Sequence, residues 1–447
     1  MCFLNTFRQK LLNIAVPITI QNLISVGLNL VDNLMIGQLG AVAIASVGLV
    51  NQVMFILMLV TFGAASGAGV FISQYWGVKD TKNIEKTIVH MLFVTFSAAF
   101  IFFVILFFIP GQTLRLFSKD ASVVSMGISY STIVAFTVFF TSFSFVMASA
   151  LRTVEKAKIP MYISLVALGI NTFGNYLLIF GVGPFPKLGV AGAAIATLTS
   201  RFIEFLLYLF VLYQKKTPVK ISLRSFLKFD RFFFAKMMKI ASPVIANEFM
   251  WSLGMAVYSL VFARVGTAAI ATRNIVSTIE SFGFVFFGGI GSAAVVIVGS
   301  ELGKKNFELA FKSAKRLLRI TLIISSLAGL AIILLSRIII RFYNIDDFIR
   351  TTALLSIIIV AAALPIKMLN AVNLVGVLRS GGDTRMVFLL EISSLWLIGV
   401  PLVILGGLIF KLSVPAIYIM MLPEELFKLF VGNLRFRSRK WMRNVIE

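Results

Sequence analysis

The stretch "NLVDNLMIGQLG" (Asn29–Gly40) places an aspartate, Asp32, inside a run of apolar residues. It is the only charged side chain between Leu11 and Val78. The 447-residue chain around it is 59% hydrophobic, with a mean hydropathy of +0.99. Soluble domains are only about half apolar. Here the apolar residues also gather into runs of the roughly 20 residues needed to cross a bilayer as helix.

Reading those runs against their breaks gives twelve spans, at roughly 11–36, 47–73, 88–109, 122–148, 159–183, 190–213, 240–263, 274–299, 317–336, 351–376, 386–410 and 412–432. The net charge of +23 reports orientation rather than a nucleic-acid partner. With the N-terminus inside, and with Arg319 and Lys428 at the cytoplasmic ends of their spans counted as inside, 30 of the 41 Lys/Arg fall in inside segments and nine in outside loops, leaving Arg201 and Lys367 deeper within spans. That asymmetry predicts cytoplasmic termini and a multi-pass protein of the cell membrane. Cys2 is the sole cysteine and His90 the sole histidine, so disulfide, thiolate and His-ligated metal sites are not expected.

A shift of 226 residues sets the two halves on each other over more than 100 positions. Pro17 falls on Pro243, Gly40 on Gly266, Gly63 on Gly289, Gly77 on Gly303, Lys79 on Lys305, Arg115 on Arg341 and Asp120 on Asp346. With one inserted residue, Leu151-Arg152 meets Leu378-Arg379. Prolines and glycines weigh most, because they fix kinks and close approaches. Six spans per repeat leave both halves the same way up. The expected fold is all-α and integral to the membrane: twelve transmembrane helices in two six-helix repeats related by a pseudo-two-fold along the membrane normal. The expected domains are an N-terminal lobe (1–213), a basic cytoplasmic linker (214–239) and a C-terminal lobe with a basic tail (240–447). Pro17 and Pro243 lie inside the first helix of each repeat, where each removes a backbone hydrogen bond.

Asp32, Asn29, Ser25 and Asn22 (or Gln21) recur every three or four residues, within roughly an 80° arc of one helix. Such a stripe faces other helices or water. A charge at the bilayer centre costs about 2.5–3.5 kcal/mol even on insertion scales. Asp32 lies about 31 Å along its helix from Leu11, close to a helix end near Gly37 where the macrodipole disfavours an anion. A carboxylate there is expected to take up a proton or hold a cation. The second repeat has Tyr258 at the equivalent position and its own acid, Glu248, on a stripe with Ser252, Met255 and Ser259. Arg201 and Glu204, three apart, are expected to neutralise each other. Glu280 and Lys367 each need a partner across helices. Lys367 shares a polar face with Asn370 and Asn373 on a helix expected to break at Pro365, and Glu391 beside Arg385 reads as interfacial. An enzyme is not expected: "SGGD" (Ser380–Asp383) lacks an in-span aspartate partner, and no phosphate-cradling loop is present. Most of the 44 phenylalanines read as packing and lipid contact, with a few left to line a cleft.

The order of "VDNLMIGQLG" (31–40), "FISQYWGVKD" (71–80), "LGVAGAAIATLTSR" (188–201), "VLRSGGDTR" (377–385) and "NLRFRSRKWMRN" (433–444) resembles the multidrug and toxic compound extrusion family across essentially the whole chain. The resemblance implies an antiporter that exports small organic compounds and drugs, often cationic, for protons or sodium by alternating access of two bundles. It implies no cofactor beyond the coupling ion, and we expect a monomer. It implies a first-lobe ion site at Pro17 and Asp32 with Asn171, Asn175 and Thr197, and a second-lobe acid at Glu248. A sodium ion would sit at Asp32 or Glu248. The chain departs from the pattern at Asn175, where many members have a second aspartate, and at Lys367, Asn370 and Asn373, where the sodium-coupled branch often has an acid. A flippase for lipid-linked or other amphiphilic substrates is the alternative. The in-span acids Asp32, Glu204, Glu248 and Glu280 favour cationic cargo over it.

Overall fold

The computed structural model describes residues 2–214, 217–219, 221–226, 229–341, 343 and 345–447, the side chains of residues 2–6, 223–224, 282–284 and 286 excepted. The described residues form helices and connecting turns. In order these are α1 (Cys2–Gly37), α2 (Ala41–Gly77), α3 (Thr81–Phe108), α4 (Pro110–Arg115), α5 (Ala121–Val134), α6 (Thr137–Thr153), α7 (Lys158–Phe180), α8 (Val190–Tyr213) and α9 (Leu223–Phe226). They continue with α10 (Arg231–Val265), α11 (Thr267–Gly303), α12 (Phe307–Arg341), α13 (Asp347–Leu378), α14 (Thr384–Ile409), α15 (Val414–Met420) and α16 (Leu422–Arg437).

Three helices, α3, α5 and α13, start where a short acidic side chain satisfies first-turn N–H groups. Asp80 accepts from the Asn83 N–H (3.1 Å), Asp120 from that of Ser122 (2.8 Å) and Asp346 from that of Ile349 (2.8 Å). Asp120 and Asp346 are a repeat pair, so the 226-residue shift extends to capping. It extends to backbone as well. Gly40 and Gly266 precede α2 and α11 with φ of 101° and 143°, which glycine adopts without a Cβ penalty. Lys79 and Lys305 close α2 and α11 with φ of 59° and 62°.

Among the described residues nine helices are long and apolar enough to cross a bilayer: α1, α2, α3, α7, α8, α10, α12, α13 and α14. The α5–α6 pair, bent by 53°, is a tenth. α11 and the α15–α16 pair take the places of the eighth and twelfth runs. The protein is an all-α, multi-pass membrane protein. Pro17, Pro243 and Pro365 all lie within continuous helix, so the break expected at Pro365 is not there. The irregularity comes later in the same helix, as a π-helical turn over Val372–Leu378; α14 carries two more, over Ser394–Gly399 and Leu405–Ile409.

The chain divides into two compact units. The first is Val16–Ile245. Within it, α2 lies so close to the start of α10 that a Cβ at Gly63 would stand 2.7 Å from the Ile245 Cα, and one at Gly67 would press on Ala241. The second is Met1–Ala15 together with Ala246–Glu447. There the carbonyl of Ala361 on α13 approaches Gly329 on α12. The unit boundaries fall within two residues of Pro17 and Pro243.

Candidate ion-coupling sites in the two repeats

In the first unit the polar residues of α1, α7 and α8 form one chain. Asn175, four residues beyond Asn171, shares its face of α7. Asn175 Nδ2 donates to Asp32 Oδ1 (2.5 Å) and to Asn171 Oδ1 (3.2 Å), and Asn171 Nδ2 donates to Thr197 Oγ1 (3.3 Å). Tyr130 of α5 shares a hydrogen bond with Thr197. Both asparagines are 1% exposed. Asn175 Oδ1 is buried and has no partner, a costly condition that a bound cation or water would relieve. The arrangement can hold a proton on Asp32, or a small cation between Asp32 and the Asn175 oxygen.

The rest of the predicted stripe separates from this chain. Asn29 and Ser25 are exposed, and the Ser25 hydroxyl donates back to the Gln21 carbonyl (3.1 Å). Asn22 is half-buried. Pro17 is buried fifteen residues before Asp32 on the same continuous helix, about 22 Å away at 1.5 Å per residue, so the structure does not bring the two together. Arg201 and Glu204 form the expected pair (2.7 Å), and Arg201 also acts electrostatically on Asp32.

A second node recurs in both units. Arg152 Nη1 donates to Gln21 Oε1 (3.2 Å), and Gln21 Nε2 donates to the Ser164 hydroxyl (3.0 Å). The repeat carries Gln21, Arg152 and Ser164 onto Asn247, Arg379 and Glu391. Arg379 Nη1 donates to Glu248 (3.0 Å) and Nη2 to Glu391 (3.2 Å), while Asn247 donates to Glu391. Glu391, which its sequence suggested as interfacial, is a partner of an arginine whose side chain is 2% exposed. Glu248 is tied to the same arginine, and Ser252 is half-buried one turn further along α10.

The remaining candidates of the second unit meet in a third cluster. Lys367 Nζ lies 2.6 Å from Glu280, and Asn370 Nδ2 donates to Glu425 (2.8 Å). Tyr258, which the repeat sets opposite Asp32, and three residues that sequence reasoning did not single out complete it. Tyr258 donates to Glu424 (2.5 Å), and Lys428 Nζ lies 2.5 Å from Glu424 and 3.3 Å from Glu425. Lys428, which the charge count places with the inside segments, has a buried side chain. The signal was its spacing, i+3 and i+4 from two glutamates on one helix. Among the described residues, no group of three acidic, histidine or cysteine side chains is arranged to hold a metal ion.

The two repeats are also what a family comparison finds. The MatE family model matches residues 17–177 and again 243–405, beginning each time at the repeated proline. The chain belongs to the MatE family. It is 24% identical to the Thermotoga maritima probable multidrug resistance protein NorM, over 98% of this chain and 94% of that protein. It is also 24% identical to the Bacillus subtilis transporter YisQ, over 97% and 95%. A solved multidrug resistance MATE family transporter in an outward-facing conformation superposes with a TM-score of 0.87 at 19% identity, covering 97% of both chains. A MATE structure in a bent conformation gives 0.88 at 19% identity, over 97% and 96%. At that identity the likeness shows the fold. This MatE chain is thus a membrane transporter rather than an enzyme. Within it, Asp32, Asn171, Asn175 and Thr197 form one hydrogen-bonded chain, while Glu248 belongs to the arginine node and Glu280, Lys367 and Asn370 to the third cluster.

Proposed function

We propose that the protein is a secondary active antiporter that exports small organic cations and drugs in exchange for protons or sodium by alternating access. The carrying observation is the bond from Asn175 to Asp32 beside the unpartnered Asn175 oxygen. A carboxylate at this depth is a functional group by default, because a charge is retained in the membrane only where it is used or paired. The ion would act by binding the inward and outward states unequally, since equal binding shifts no equilibrium. The names of the MatE relatives, multidrug resistance proteins among them, support the choice of cargo. The protein would lie in the cell membrane as a monomer with both termini cytoplasmic, in keeping with the Lys/Arg asymmetry.

The test is efflux of a fluorescent organic cation from proteoliposomes under an imposed proton or sodium gradient, for wild type and Asp32→Asn. Gradient-driven efflux that collapses in the variant supports the reading and identifies the ion. Efflux that survives moves the ion site to Glu248. No cation efflux under either gradient favours the flippase.

A further inference from the structure

The linker between the repeats is fastened along one side of α3. Glu85 accepts from the Ser222 N–H (2.8 Å) and the Ser225 hydroxyl (2.5 Å), and so holds α9. Lys86 pairs with Asp230 (2.6 Å), and the Asp230 N–H donates to His90 Nε2 (3.1 Å). The Phe229 ring then packs on Phe93, with ring centres 5.1 Å apart. Residues 85, 86, 90 and 93 recur at helical spacing, so the anchors follow one another along the helix.

Between α3 and α8 this strap leaves an apolar cavity of about 570 Å³ within the first unit. Phe96 of α3, Phe143 of α6, Phe205, Leu209 and Tyr213 of α8, and Phe226 of α9 line it. The α8 residues carry it over about 12 Å of helix, to the end where Tyr213 is 83% exposed. Protein interiors are otherwise close-packed, and a volume of this size is that of a ligand site. No charged side chain lines the cavity, but the end of the unit that it reaches is basic. Lys79, Lys82, Lys156, Lys158 and Arg231 are exposed there. The four acids of that end are already engaged. Asp80 caps α3, Glu85 and Asp230 hold the linker, and Glu155 accepts from the Trp76 indole (3.4 Å). From Gln214 to Lys239 the chain has eight Lys/Arg and one acid, Asp230.

We propose that this cavity holds one acyl chain of an anionic phospholipid, whose headgroup phosphate rests among the exposed basic side chains of that end. A hydrocarbon chain gains little by leaving the bilayer for the cavity, because lipid tails are as apolar as the side chains that line it. Selection therefore falls to the headgroup. Each basic residue near the membrane surface favours an anionic lipid by about fivefold. An organic cation would meet the same ring faces, but no carboxylate lines the cavity and the basic rim repels it. The lipid joins α3, α6 and α8 to the linker that leads into α10, as a non-protein part of the first unit. This goes beyond the antiport reading and does not depend on it.

The experiment combines two measurements on the full-length protein. The first is native mass spectrometry after release from micelles containing equal amounts of phosphatidylglycerol and phosphatidylcholine. The second is photo-crosslinking by a phosphatidylglycerol with a diazirine midway along one acyl chain. One phosphatidylglycerol per protein should survive release, with adducts on the peptides that hold Phe96, Leu209 and Phe226. Leu209→Trp, which fills the cavity, should remove both signals. Lys82→Gln combined with Arg231→Gln, at exposed positions, should lower phosphatidylglycerol retention by about 25-fold and leave phosphatidylcholine unchanged. Equal retention of the two lipids, adducts spread evenly over lipid-facing helices such as α12, or retention untouched by the double variant overturns the proposal. So does displacement of the lipid by tetraphenylphosphonium, which would mark the cavity as a site for organic cations. If Leu209→Trp does not fold, the adduct map and the double variant decide alone. Neither measurement uses an ion gradient, so failure of the antiport reading leaves the result standing.

Discussion

Arg152 and Arg379 hold the same place in the two repeats, yet Arg379 bridges two glutamates while Arg152 reaches the neutral amide of Gln21. The two should therefore differ sharply in what their removal costs. Arg379→Met leaves Glu248 and Glu391 buried without their cation and should destabilise by about 3–5 kcal/mol. Arg152→Met forfeits a hydrogen bond to an uncharged partner, worth about 1–3 kcal/mol when the partner is stranded. Thermal unfolding of the two variants in detergent checks the order. Equal losses would contradict it.

Asn175→Leu removes the donor that holds the Asp32 carboxylate. Hydrogen bonds to charged groups are worth about 1.5–3 kcal/mol, so ion-driven efflux should fall by about ten- to a hundredfold. Asn29→Leu, at an exposed position of the same helix, should leave efflux near wild type. Initial efflux rates in proteoliposomes at equal protein decide the matter.

Asp230, just before α10, is held at a pKa of about 2, first through the bond from Lys86 Nζ (2.6 Å) and then through backbone N–H groups of the next turn. Because the folded value lies below the ordinary carboxylate value of about 4, the contribution is complete above that value and disappears as pH falls through 2. Wild type should be more stable than Asp230→Ala near neutral pH, and the gap should close between about pH 4 and 2. Unfolding midpoints over an acid series test the sign.

Trp441 is fully buried in the C-terminal tail. Its ring stacks on Phe436, its indole N–H donates to the Phe436 carbonyl (3.0 Å), and its own carbonyl presses on Gly381. Nearby, Arg435 donates twice to Asp383 (2.6 and 3.1 Å), and Asn444 reaches the final carbonyls of α11. The basic tail is thus a folded part of the second unit. Trp441→Ala should cost about 3–5 kcal/mol, read by chemical denaturation.

What the sequence made legible was periodic or repeated. The twelve apolar runs fall on helices because bilayer-length hydrophobicity is a one-dimensional signal. The Asp32 chain was legible through the family resemblance, and the Arg201–Glu204 pair through its i+3 spacing. The partners of Glu391 and Lys428 were missed for one reason: each looks peripheral beside its chain neighbours and is paired with residues on other elements or, for Lys428, on a helix stretch whose "LPEELFK" charges resemble a membrane border. Arg379 and Glu248 are 131 residues apart and Asn247 and Glu391 144, separations at which hydropathy carries no pairing information. The π-helical turn that brings Gly399 over Tyr258 and Glu424 likewise has no counterpart in a 3.6-residue period.

The boundary at the two repeated prolines has a consequence for how the molecule is assembled. Residues before Val16 belong with the second unit, where Phe7 lies beneath the Arg316 guanidinium, and the residues of α10 before Ala246 belong with the first, against Gly63, Gly67 and His90. The linker is thus not a seam along which the chain separates into two self-sufficient halves. Two polypeptides cut between 214 and 230 would each carry a helix start that completes the other. Synthesised alone, each fragment would be left with an unfilled groove and an orphaned helical arm; made together in one cell, they are expected to restore each other.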